Sequence, residues 1–535
     1  MEEGNNLVKK HDLKVINIVF MIYCLCAAGA YGIEAMIPAS GPGLTLVLLM
    51  VIPFVWGLPM ALASVELGSA RPVEGGFYKW IQEALGEFWG FQAGWWKSIA
   101  NYIDSSVYVI LAGTYFALMT GVGETGKYAF QVAIIALFVI INLRGVQESS
   151  KISLVVGFAV LAIFTLITVV GFMNVSQNAF TPFTPPDQGV MLSISGGLAI
   201  GIWMYSGYEA MSAVGGEVSN PRIIPKATLI AVPLIAATYI LPTAASLSSI
   251  GQWENWQEGI SGDVVGYGTV LSTYLGHGIW MLLFGAIAIM AQCSIYNSWM
   301  TAGTRVLFAM SDDNLAPKFI KKVNKKHGVP YIPVLIMAAV NLILCSFEFT
   351  VVLVIEVLLI IATQILLFIS MLVMRKKMPD SERPIKIPGP KLFITLFFSI
   401  PVVVGVLAYL LNGTDYFMGG LIGICTGPIA YFVFKRRYGG LHKSDPKKHP
   451  VNRITGLAQG DLYRISYFFL IVCVLSLMGS AFLPWYEGSW GQEYYYETYG
   501  ADVFGTFLSV IKGFAAAGAA LFVVFRVIAK KTEKK

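Results

Sequence analysis

Fourteen apolar runs of about the length that crosses a lipid bilayer leave this chain of 535 residues little soluble alternative. They recur near residues 17–40, 44–67, 97–120, 129–143, 152–173, 190–214, 227–249, 278–308, 333–348, 351–374, 392–411, 416–434, 465–484 and 503–527. A spanning helix needs roughly 17–25 residues, and inside lipid a backbone must satisfy its own hydrogen bonds, so such runs fold as helices. Hydrophobic residues make up 56% of the chain and charged residues 13%, about half the charged share of ordinary soluble domains. The predicted fold class is all-α and integral to a membrane, with about fourteen transmembrane helices.

A net charge of +6 would suit a nucleic acid or an anionic surface if the cations were pooled, but they sort by side. With the N-terminus inside, nearly every Lys and Arg falls at a cytoplasmic end, as in Lys318, Lys321 and Lys322, Arg375 to Lys377, and Lys435 to Arg437; only Lys127 lies in a predicted outer loop. This is the positive-inside bias of a multi-pass protein. Both termini are expected in the cytoplasm of a plasma-membrane protein, and no nucleic-acid partner is expected. A cleaved signal at the N-terminus, suggested by Lys9, Lys10 and Lys14 before an apolar run, would leave an odd number of spans and spoil the alternation. The six cysteines all fall inside spans without a CxxC pair, and the five histidines lie in loops or at span ends. No disulfide framework, metal site or cofactor is expected.

The chain divides into a tail (1–16), a twelve-helix core (17–437), a basic linker (438–464), and two extra helices with a C-terminal tail (465–535). Within the core, spans 1 and 6 share an anomaly: Gly29 and Gly32 interrupt one, Ser206 and Gly207 the other. Matched interruptions five spans apart are the sequence pointer to two inverted five-helix repeats with a site where the broken helices meet. Unwound backbone in lipid must find partners, and a zwitterion or a polyamine can supply them. Close helix packing is the plainer reason for membrane glycines, but it does not explain the matched pair.

Glu34 in span 1, Asp104 in span 3 and Glu209 in span 6 lie well inside apolar segments, where an ionised carboxylate is costly unless paired or wet. No buried cation is evident for them; Lys97, two turns before Asp104, is expected to reach toward the interface. Either the three acids are protonated, satisfied by neighbouring helices, or a cation visits them. They are the candidate proton-coupling residues.

At span 6 the residues become specific: Gly207-Tyr208-Glu209, then Gly216-Glu217-Val218-Ser219-Asn220-Pro221, then Ile224-Pro225-Lys226-Ala227. This resembles the amino acid–polyamine–organocation (APC) transporters, whose sixth span ends in a similar pattern. Asn297-Ser298 and Arg305 in span 8, Asp312 to Pro317 after it, and Arg383-Pro384 through Pro388-Gly389 follow in register. The resemblance covers about residues 15–435. Phe88-Trp89-Gly90-Phe91-Gln92, Gly94-Trp95, Ile103-Asp104 and Gly32-Ile33-Glu34 look most like polyamine/proton symporters, and span 6 is also similar to arginine/agmatine exchangers.

The resemblance implies a LeuT-like 5+5 inverted repeat, alternating access, and substrate held between the span 1 break (Ala28, Gly29, Ala30, with Tyr31 and Glu34) and the span 6 break (Tyr205, Ser206, Gly207). It places Trp203 at an aromatic gate, Glu209 at a pH-sensitive acid, and Asp104, Ser105, Asn297 and Ser298 among the substrate contacts. The family's G-[SA]-G is Ala27-Ala28-Gly29 here. The span 5 lysine of some proton-coupled members is absent, since Gly157–Val160 is apolar, so proton coupling would have to use acids.

The expected function is secondary transport of amine-bearing cations, polyamines or basic amino acids and related amines, driven by protons or by exchange. The alternative is a neutral or broad-range amino acid permease of the same fold. An enzyme would need a nucleophile or metal constellation that the spans do not contain; a channel or sensor is the remaining class. Partners are the small-molecule substrate, protons and lipid, with an oligomer surface possible on helices 13 and 14. The aromatic outer connection Trp485 to Glu497 is read as an interfacial belt rather than a lid.

Overall fold

The computed structural model describes residues 11–532 except 28, 74, 213–217, 221, 257–265, 277, 325, 348, 379–382, 489–490 and 501–502. Its α-helices in chain order are α1 (Val15–Cys26), α2 (Met36–Ser40), α3 (Pro42–Ile52), α4 (Leu58–Ala70), α5 (Gly76–Leu85), α6 (Glu87–Thr120), α7 (Glu124–Asn142), α8 (Val146–Met173), α9 (Val190–Met204) and α10 (Ile223–Ser249). They continue as α11 (Tyr267–Leu275), α12 (Ile279–Asp312), α13 (Tyr331–Leu344), α14 (Phe349–Lys377), α15 (Lys391–Leu411), α16 (Thr414–Tyr438), α17 (Leu441–Ser444), α18 (Asp461–Glu487), α19 (Gly491–Tyr499) and α20 (Phe504–Thr532). Among the described residues the only β-structure is isolated bridges. Ten helical stretches among the described residues are long and apolar enough to cross a membrane; α1, α9 and α13 are shorter apolar helices. The protein is a multi-pass membrane protein.

Polar groups and glycines decide where the regular helices stop. Helix α1 ends at Cys26 and regular helix resumes only at Met36. Gly29 sits there at φ 111°, a conformation that side-chain-bearing residues rarely adopt, and a Cβ on it would lie 2.5 Å from the Phe164 ring. Helix α9 ends at Met204, and Gly207 follows at φ 107°. Between α3 and α4 the chain makes a π-helical turn over Pro53–Gly57. Pro53 has no N–H to give the Leu49 carbonyl; the Tyr205 hydroxyl donates to that carbonyl instead, at 2.9 Å. The wide turn in one helix thereby anchors the break in another.

The centre of the bundle is α6, which packs chiefly against α12 and α14. At its N-terminal end, acids are locked to cations. Glu66 on α4 takes Arg375 and Arg383, the latter at 2.6 Å. Asp313 accepts from Tyr78 and Gln82 on α5 and pairs with Lys79. Glu87, the first residue of α6, pairs with Lys435 at 2.6 Å and accepts from Tyr431, which also donates to Asp461 at the start of α18.

The last two long helices pack mainly on each other and meet α16, α15 and α6. Short α19 joins them. Its Tyr499 donates to Asp415 at 2.9 Å, and its buried Tyr495 donates to Glu487. Glu487 in turn accepts the Thr414 N–H at 2.8 Å, so the aromatic connection is a clasp on the first turn of α16. Trp485 and Tyr496 remain exposed.

Candidate functional site

The C-terminal ends of α1 and α9 converge on one side chain. The Tyr239 hydroxyl on α10 lies 2.6 Å from the Cys26 carbonyl and 3.0 Å from the Met204 carbonyl, and it donates to them. Helix C-termini leave carbonyls without partners, and in lipid each such group is expensive. One hydroxyl thus serves the last carbonyl of both interrupted helices.

Beside this junction is a cavity of about 20 Å³, room for little more than one water. It is lined by Cys26 and Tyr31 from the first break, by Trp203, Ser206 and Gly207 from the second, by Lys97, Asp104 and Tyr108 from α6, and by Gln292 and Trp299 from α12. Two pairs of charged or ionisable groups are set against it.

The first is an ion pair. Lys97 Nζ lies 2.8 Å from Glu209 Oε1, with both side chains buried, and 5.2 Å from the centre of the Trp299 ring. This overturns two expectations, that Glu209 lacks a buried cation and that Lys97 reaches for the interface. Seven residues separate Lys97 from Asp104, two helical turns, so both face the same interior side of α6. From there a partner at 2.8 Å compensates the ammonium's desolvation, which only a close, well-placed counter-charge does.

The second pair holds two acids. Asp104 Oδ1 accepts the Trp203 indole N–H at 3.1 Å and Oδ2 accepts the Tyr108 hydroxyl at 3.3 Å, with the Tyr108 and Trp203 rings stacked. Behind it, within hydrogen-bonding reach, is Glu356 of α14. Glu356 is fully buried, and neither of its oxygens meets an N–H or O–H donor among the described residues.

Of the residues expected to bind substrate, Tyr31, Asp104, Trp203, Ser206 and Gly207 line the cavity. Glu209 reaches it through Lys97. The others lie elsewhere. Glu34 Oε2 curls back to accept the Gly32 N–H at 3.0 Å. Gly29 packs against the Tyr31 and Phe164 rings, and Ala30 is buried beside it. Tyr205 is turned toward α3. Ser105 bonds Asn341 of α13, Asn297 bonds Asn142 of α7, and Ser298 lies 3.2 Å from Ser153 of α8; all three belong to polar seams between helices. Ala28 lies outside the described residues, as do Gly216, Glu217 and Pro221 of the span 6 motif.

Sequence reasoning misplaced Lys97 at the interface and missed Tyr108, Tyr239, Trp299 and Glu356. Of the four that were missed, Glu356 carried a plain signal, a carboxyl in the apolar run 351–374.

Residues 13–422 match a family model described as amino acid permease. A probable polyamine transporter of Arabidopsis thaliana is 30% identical over 390 residues, covering 71% of this chain and 75% of its own length. A polyamine transporter of Oryza sativa subsp. japonica is 26% identical over 442 residues, 80% of each chain. A branched-chain amino acid permease of Bacillus subtilis is 26% identical over 455 residues, covering 76% of this chain and 88% of its own. Helices α18 to α20 lie beyond the family match.

Proposed function

This chain belongs to the amino acid permease family, and we propose that within it the protein is a secondary transporter of amine-bearing organic cations, polyamines or basic amino acids and related amines. The observation that carries this is Asp104. It faces the cavity at the junction of the interrupted helices with an aromatic ring beside it and, among the described residues, no cation of its own, since Lys97 is already taken by Glu209. A carboxylate with an aromatic face suits an ammonium group. The polyamine transporters among the relatives support the same substrate class.

The transporter works by alternating access in the plasma membrane, with both termini in the cytoplasm. The fourteen-span reading takes the ten long stretches and three short apolar helices among the described residues together with α6, and it orders spans 1–5 and 6–10 as a 5+5 inverted repeat. Coupling is to protons or to a second amine, and α18 to α20 form an accessory or oligomer surface.

The second reading is a neutral amino acid permease, favoured by the branched-chain relative. Competition of unlabelled amines and amino acids against one radiolabelled diamine in proteoliposomes, with and without a pH gradient, separates the two. Diamines should displace the label far better than valine or serine. Equal or better displacement by the neutral amino acids would overturn the cation reading.

A further inference from the structure

The buried acid pair has an asymmetry that says where a proton belongs. Both oxygens of Asp104 accept protein donors, from Trp203 and Tyr108. Those of Glu356 accept none among the described residues. Donors stabilise a carboxylate, so of two carboxyls in contact in a dry interior Asp104 is the one that stays ionised. A proton on Glu356, with its O–H turned to Asp104, would satisfy both groups.

Among the described residues no other charge nearby replaces that proton. On α6, Lys97 feels both acids but is committed to Glu209, which follows α9. On α15, the Tyr409 hydroxyl donates to the Leu358 carbonyl of α14. At the far end of α14, Arg375 and Arg383 are held by Glu66 of α4.

We propose that Asp104 and Glu356 act as one proton-holding unit in which an ammonium arriving at Asp104 and the proton on Glu356 compete, so that amine binding expels a proton. This rests on the cation reading above and deepens it, because it makes exchange with a proton the mode of coupling. Asp104 touches the substrate; Glu356 is a positioning residue that acts through it. The step balances: the Glu356 O–H bond breaks, the proton leaves to water, and the incoming ammonium takes over the charge it had neutralised. A nearby cation favours the ionised acid, and by reciprocity the ionised acid favours the cation. Amine affinity therefore rises with pH.

Two measurements on the full-length protein in nanodiscs test this. With putrescine as the probe, wild-type affinity should climb with pH, approaching about tenfold per unit where one proton competes fully. Glu356→Gln supplies a permanent amide donor to Asp104, so its affinity should stay flat at the wild type's acid-pH value. Asp104→Asn should not bind at any pH. A Glu356→Gln variant that keeps the parent's pH dependence overturns the proposal. The second readout needs no substrate. The infrared spectrum of wild type minus that of Glu356→Gln at neutral pH should contain a protonated-carboxyl band, and its absence overturns the proposal as well. If the band is present but wild type binds no diamine, the substrate reading fails while the proton assignment stands.

Discussion

Two buried pairs lie at the edge of the same small cavity, and they solve the problem of a carboxylate in lipid in opposite ways. Glu209 has a lysine ammonium at 2.8 Å, and the pair is complete in itself. Asp104 has two hydrogen-bond donors and a second acid at its back. A closed ion pair has no reason to exchange its partner, because removing either half strands a charge. The acid pair lacks one positive charge, which either a proton or an ammonium supplies. Acidity inside a span is thus no guide to coupling until its neighbours are known: one acid is closed in an ion pair, and on the proposed reading the cation goes to the other.

The largest effect tests the structural side. Lys97→Met leaves Glu209 buried without its cation, and breaking a buried pair from one side costs about 3–5 kcal/mol. Lys97→Met should therefore lower the midpoint of thermal or denaturant unfolding sharply, and adding Glu209→Leu should recover most of the loss. Glu209→Gln alone should also lose stability yet keep the pH dependence of substrate affinity. Should Glu209→Gln flatten that dependence instead, the contrast between the two pairs collapses and the ion pair is part of the coupling.

A smaller effect tests the functional side. Trp203→Phe keeps an aromatic ring beside Tyr108 but removes the N–H given to Asp104. Hydrogen bonds to charged groups contribute about 1.5–3 kcal/mol, so diamine affinity should fall between about tenfold and a hundredfold with little change in unfolding. Binding equal to wild type would mean that the ring, not the N–H, is what the site uses, and that Asp104 needs no donor to stay ionised.

Both interruptions were legible in the sequence because positive-φ glycine leaves a compositional mark: Gly29 and Gly207 are where α1 and α9 give out. Asp104 and Trp203 were legible because polar and aromatic residues in a span need a reason. The pairing of Lys97 with Glu209 was not, since it joins positions 112 apart and depends on how α6 lies against the turn after α9. Periodicity alone still placed Lys97 on the face of Asp104. Glu356 was missed although it met the same criterion as the other acids, and only the packing of α14 on α6 shows what it faces. Asn297, Ser298 and Ser105 show the converse. A polar residue in a span also serves as glue between helices, and nothing in one sequence separates that use from a binding site.

The weakest effect concerns α18 to α20, and it tests whether the cavity is as self-contained as the two pairs suggest. Phe468 on α18 lies 6.3 Å, ring centre to ring centre, from Trp96, the immediate neighbour of Lys97. Consecutive helical residues point about 100° apart, so Trp96 faces α18 while Lys97 faces the interior, and no residue of α18 to α20 lines the cavity. A chain ending near Tyr438 loses Asp461 and Glu487, hence one partner of Tyr431 and the acid that accepts the first N–H of α16, but it keeps the pair of Glu87 with Lys435. It should unfold at lower temperature while binding diamine within about twofold of wild type, the 0.3–0.5 kcal/mol expected of sites that share no partner. A truncated protein that still gives a cooperative unfolding transition but binds tenfold more weakly would show that α18 sets the position of Lys97 through Trp96. The ion pair would then be a lever on the acid pair rather than its inert neighbour.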